Sequence, residues 1–302
     1  MLSRAIPAAM LIMAGGVVHA DLTDLVPVET LKQIAEETSG EAAKRNLDTI
    51  TLQHRMRASD QFDDATSHIL RMLEAYELDE VTTLEYAADG ETMFGTQKSR
   101  PKWQVRSAEL WELSKTDGEV VRSRRLGDWS SVPLSLAQDS QSGEATTTLV
   151  DIGSGREDSD YAGKDIRGKL VLTSSQPESV AERAVGDLGA AGIVSYAPNQ
   201  RSAWWLEDDR LVRWGHLDSF PETKTFGFMI SLGEARKLQQ RMAGGEEILL
   251  HAKVDAGHEE GKYRFATAAI LGTDKAAEEI HFTCHLDHPR PGANDNASGC
   301  VS

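Results

Sequence analysis

The string HLDHPRPGANDNASG, residues 285–299, gathers the residue types best suited to holding a metal ion. A β-prone run from Glu279 to Cys284 precedes it, which predicts His285 at the C-terminal end of a strand, where ligands bind in α/β sheets. Asp287, two residues on, falls on the same side as His285 if the backbone stays extended. Its carboxylate could then hold one imidazole nitrogen and leave the other for a metal. After a loop through Gly292, the Asn294-Asp295-Asn296 cluster returns a second carboxylate. Nitrogen and oxygen donors together suit zinc, a borderline ion that accepts both. Yet zinc takes three or four ligands where spacing names two, and Asn-Asp-Asn is also ordinary turn chemistry. His288 reads as a loop residue and His281 as a strand histidine.

The elements that must position this string begin with helices. Residues 21–76 read as helical: Ser39 can cap one helix, and Ser59 or Asp60 another that carries Phe62, Ala65, Ile69, Met72, Leu73 and Tyr76 at helical spacing. That apolar stripe is read as core packing. Val81–Tyr86 is β-prone and ends at the Asp89-Gly90 turn signal. Trp103–Leu113 fits either a strand or a helix. The polar passage 127–148, with Pro133, marks an expected boundary. A strand (Thr148–Ile152), a β run (Ile166–Ser175), an amphipathic helix (Ala181–Leu188) and a turn into a further strand (Gly189–Tyr196) follow. The last three form one βαβ-sized unit. Gly227–Ala256 adds a helix ended by Gly244-Gly245 and a strand, and Phe265–Leu271 is expected to pair with Glu279–Cys284 as a hairpin.

Composition sets the class. The 302 residues carry 32 Lys and Arg against 48 Asp and Glu, a net charge of −16, which disfavours nucleic-acid partners. Arg4, an apolar run from Ala5 to Val18, and Val18-His19-Ala20 have the order of a secretory signal peptide over residues 1–20. No other stretch is apolar enough to span a membrane, so the mature chain is expected to be secreted or periplasmic. Two cysteines, Cys284 and Cys300, cannot make a disulfide scaffold; an oxidising compartment permits one bridge, but two buried thiols are the preferred reading. Trp204, Trp205 and Trp214 are expected to pack rather than cover a substrate entrance.

The 285–299 string resembles the first metal-ligand block of two-zinc exopeptidases related to secreted bacterial aminopeptidases, aminopeptidase Y and carboxypeptidase Q. In that family an H-x-D, a short loop and a G-A-x-D-N-A-S-G element lie in this order, and ATAAILGTD and EEIHFTCHLD are similar to its lead-in. The resemblance implies that His285 ligates one zinc, Asp295 bridges two, and Asp287 is the catalytic residue that orients the site. Asn296 and Gly299 would shape the turn and helix entry. Thr148 to about Ala256, through VDIGSG, DYAGKDIRGKLVLTSS and AVGDLGAAGIVSY, resembles a protease-associated domain. Residues 21–130 match only loosely.

The fold implied is α/β: an incomplete three-layer zinc-peptidase domain with a mixed sheet, interrupted by a β-rich α/β protease-associated insertion. The division expected is 1–20 signal peptide, 21–132 peptidase, 133–256 insertion, and 257–302 peptidase resumed. The family pattern continues past Gly299 with a Glu-Glu pair, a further acidic ligand and a late His, none assignable before Ser302. The chain is therefore expected to be the N-terminal portion of an exopeptidase acting on peptide or protein substrates, and inactive by itself. A non-catalytic binding protein on the same scaffold is the alternative. A serine or cysteine hydrolase has thin support, since no G-x-S-x-G occurs.

Overall fold

The structure, a computed structural model, describes residues 26–197, 208–273, 278–289 and 292–301. Residues 1–20, Trp204, Trp205 and the Asp274 end of the expected turn lie outside the described residues. The chain divides into two units, residues 1–44 and 45–302. In the first, α1 (Val28–Glu37) is an amphipathic helix without a buried residue. α2 (Gly40–Thr51) opens where expected, the Ala42 N–H donating to the Ser39 hydroxyl at 3.2 Å. In the second unit, α3 (Asp60–Ala75) is capped by Ser59, whose hydroxyl accepts from the Phe62 N–H at 3.1 Å. Phe62 and Ala65 of its stripe are buried, while Tyr76 is exposed.

Among the described residues eleven strands follow: β1 (Asp79–Ala88), β2 (Met93–Phe94), β3 (Gln97–Lys98), β4 (Lys102–Thr116), β5 (Glu119–Asp128), β6 (Gly143–Asp151), β7 (Leu170–Thr173), β8 (Gly192–Ser195), β9 (Gly227–Met229), β10 (Leu249–Glu259) and β11 (Gly261–Ala269). Seven form one mixed sheet in the order β5-β4-β10-β6-β7-β8-β9, antiparallel from β5 to β6 and parallel from β6 to β9. The ambiguous Trp103–Leu113 stretch is strand, because β10 and β5 flank it on both edges. β4 and β5, on the N-terminal side of residue 133, are hydrogen-bonded into the same sheet as β6–β10.

The expected βαβ unit is present. β7 and β8 are parallel and joined through α5 (Glu178–Ala181), which continues as a π-helical turn over Glu182–Asp187. Side-chain alternation buries both faces of these strands: Leu170, Leu172 and Val194 point to one core, Val171 and Ile193 to another. Ala235 and Leu238 of α6 (Leu232–Ala243) cover the first face, and Val180 and Ala184 the second, making three layers. This is the α/β class with a mixed sheet that the residues imply. α6 ends at Gly244-Gly245 as expected, with Gly245 at φ +85°.

β10 leads almost directly into β11, which leaves the large sheet and pairs with β1 in a separate antiparallel ribbon. That pairing overturns the expected hairpin. Residues 278–288 carry no strand, and Ile280 and Phe282 are 85% and 93% exposed. β-propensity alone does not make a strand; no strand among the described residues pairs with the segment. No described helix is long and apolar enough to cross a membrane.

Candidate metal centre

The 284–301 segment packs on residues of α2 and α3 that belong to the second unit. Leu286, Ala297 and Val301 pack against Leu47, Ile50, Ala65 and Ile69. Beside this small core lies Arg55, fully buried. Its guanidinium donates to the carbonyls of Leu286 (2.8 Å), Gly292 (2.9 Å), Gln53 (3.1 Å) and Ile50 (3.3 Å). Its own carbonyl accepts from the His288 N–H at 2.9 Å. Burial pulls the guanidinium below its usual range, and the nearby Asp287 charge opposes that pull. His54, one residue earlier, places Nε2 at 3.1 Å from the Pro289 carbonyl. Burial holds its imidazole below the usual range, so it sits neutral with Nε2–H as donor.

On this frame the three candidate residues approach one another. Nδ1 of His285 faces the Asp287 backbone carbonyl at 3.1 Å, while the Asp287 carboxylate stands farther off at 3.7 Å. The carbonyl, rather than the carboxylate, is therefore what orients the ring. Nε2 of His285 lies 2.9 Å from Oδ1 of Asp295. His288, 10% exposed, brings Nε2 to 3.7 Å from the other Asp295 oxygen. His281 is exposed and pairs with Glu279 at 3.0 Å, away from this cluster.

The strand-end expectation for His285 is corrected: an irregular segment, anchored by Arg55 and Leu286, presents it instead. The preference for unpaired thiols is also corrected. Cys284 and Cys300 form a disulfide, their Cα atoms 5.4 Å apart, because the loop returns to its start. The expected helix entry at Ala297–Gly299 is a run of turns, in which the Gly299 N–H donates to the Asn296 side chain at 3.2 Å. Arg55 carried no signal in the sequence, since the carbonyls it gathers come from positions 50, 53, 286 and 292.

The donor chemistry can be tested on this contact. With Nδ1–H given to a carbonyl, Nε2 of His285 faces the Asp295 carboxylate, a pure acceptor, at 2.9 Å. Two atoms that close must share a proton or a cation. Their separation is roughly 0.4 Å shorter than the edge of a tetrahedral zinc shell, about 3.3 Å for bonds of ~2.0–2.1 Å, so an ion between them would spread them slightly. His285 and Asp295 thus fit two corners of such a shell. Among the described residues no group of three or more His, Cys, Asp or Glu side chains completes it.

No protein-family model matches the chain. No curated protein matches it either. Solved structures do. The peptidase M28 precursor from Shewanella amazonensis SB2B aligns over 86% of this chain and 56% of its own, with a TM-score of 0.54 and 16% identity. The zinc aminopeptidase BSAP from Bacillus subtilis aligns over 86% of this chain and 55% of its own, with a TM-score of 0.53 and 17% identity. The chain thus spans a little over half the length of the structures it matches. At this identity the likeness is one of fold, and it closes the structural case: the chain has the α/β fold seen in the corresponding part of these M28 peptidases.

Proposed function

We propose that this chain is part of an exported, zinc-dependent exopeptidase, an aminopeptidase in the simplest form of the reading, that cleaves terminal peptide bonds with metal-activated water. One observation carries it: His285 Nε2 and Asp295 Oδ1 face each other at 2.9 Å while the Asp287 carbonyl takes Nδ1. The fold shared with M28 peptidases supports the same assignment. Zinc, when bound, supplies a Lewis acid and a water acidic enough to ionise near neutral pH. His285 and Asp295 would hold it, in a centre expected to take two ions. The Asp287 carbonyl fixes the His285 tautomer, the Asp287 carboxylate adds negative charge, and Arg55 holds the loop. Residues 133–256 are the protease-associated-like part in this reading, and 21–132 with 257–302 the peptidase part. Peptides or proteins are the partners; the net charge of −16 argues against nucleic acid.

Elemental analysis and zinc titration of the purified chain test the site. His285→Ala and Asp295→Ala should each weaken zinc by at least about tenfold, and Asp287→Ala by less, since a backbone carbonyl orients the ring. Unchanged affinity in both of the first two variants would remove the metal assignment. With two donors and no assigned base, the chain alone is expected to release no amino acid from peptide p-nitroanilides above a zinc blank.

A further inference from the structure

A cavity of about 290 Å³ opens beside Pro289, on the loop that carries the candidate donors. Arg57 and Arg100 stand on its wall, and Lys98 lies over the ring of Phe220, another wall residue, at 4.8 Å. Among the described residues none of these three cations forms an ion pair, although the protein carries a net charge of −16. Three carboxylates share this wall, each beside its own polar partner. Asp139 accepts from Ser219 at 3.0 Å and from Gln138 at 3.1 Å, and lies 2.7 Å from His258 Nε2. Gln141 donates to His258 Nδ1 at 3.3 Å, which leaves the proton on Nε2 to be given to Asp139. Glu178 stands 3.3 Å from His216 Nδ1, and Asp218 accepts from the Phe220 N–H at 2.9 Å.

Guanidinium groups without partners beside a cavity are forks of N–H donors awaiting a planar acceptor. The same lining offers a flat surface, the Trp214 indole stacked on His216 at 4.7 Å and fixed by its N–H to the Gln138 side chain at 3.2 Å. We infer that this cavity binds a carboxylate of a peptide, held by Arg57 and Arg100 with its adjoining amide plane against Trp214. Its use in substrate selection rests on the peptidase reading, because Pro289 ties the cavity to the candidate metal loop; carboxylate binding itself does not. The carboxylate is either the terminal group of a short peptide or an acidic side chain.

The test uses the purified, metal-free chain and Trp214 fluorescence with calorimetry. N-acetyl-glutamate amide presents a side-chain carboxylate, N-acetyl-alanine a terminal one, and N-acetyl-glutamine amide neither. Binding of either acid, but not of the neutral amide, is expected, and the one that binds identifies the source. Arg57→Gln and Arg100→Gln should each weaken it by about tenfold or more, Arg→Lys variants by less, and Trp214→Phe should abolish the optical signal while calorimetric binding persists. Equal binding of the neutral amide, no binding of any probe, or affinity unchanged in both Gln variants would each overturn the inference. Zinc titration of the same protein reads the metal site separately, so loss of one assignment leaves the other standing.

Discussion

Arg55 is a charge with no exposed surface, compensated by four backbone carbonyls and the field of Asp287. Arg55→Met removes the donors but leaves the carbonyls of Ile50, Gln53, Leu286 and Gly292 without them. A loss on the order of 3 kcal/mol follows, with the 286–292 loop losing order first. Urea unfolding and amide exchange check this; a loss below about 1 kcal/mol would mean the loop is held by its apolar contacts alone. His54 adds a pH dependence. The folded chain keeps it neutral, whereas unfolding restores its ordinary value of 6.5. Below that value the unfolded state binds more protons, so stability falls on acidification. The urea midpoint should drop between about pH 7.5 and about pH 5.5, and less steeply in His54→Gln. At this scale the sequence marked His285, Asp287 and Asp295 by type and spacing. It could not mark Arg55 or His54, whose roles depend on carbonyls more than 200 positions away.

Elements were legible where their causes are local. Ser39 and Ser59 cap the helices they precede, Gly244-Gly245 ends α6, and the βαβ unit stands where its period changes. The 279–284 run shows the limit: its alternation is strand-like, but a strand requires a partner, and none of the described strands pairs with it. A packing feature of the large sheet was equally hidden. The Phe226 ring lies between Gly143 of β6 and Gly192 of β8, where an added Cβ would stand 2.7 Å and 2.6 Å from ring carbons. Gly192→Ala therefore forces the ring to move and should lower stability by about 1–3 kcal/mol. Combining it with Phe226→Leu should recover part of that loss; simple additivity in a double-mutant cycle would show that the ring and the glycine are not coupled.

Over the whole molecule, the order of the large sheet was the least legible property. β10 inserts between β4 and β6 although β5 and β6 are nearer neighbours in the chain, and no local signal encodes that crossover. The disulfide likewise depended on a return of the chain that spacing does not specify. Alkylation of the unfolded, unreduced chain should leave Cys284 and Cys300 unmodified, and modification of both would remove the bridge. Cys300→Ser should cost up to about 3 kcal/mol, the entropy expected for closing a loop of this length.

That bridge has a thermodynamic corollary. It makes a covalent ring whose circumference carries His285, Asp287, His288 and Asp295 between its two sulfurs. An ion gripped across the ring and oxidation of the thiols both narrow the same set of chain conformations, so each event must favour the other to an equal degree. On the proposed metal assignment, surroundings that strip electrons from thiols would thereby ready the chain to collect an ion, and reducing ones would loosen the grip.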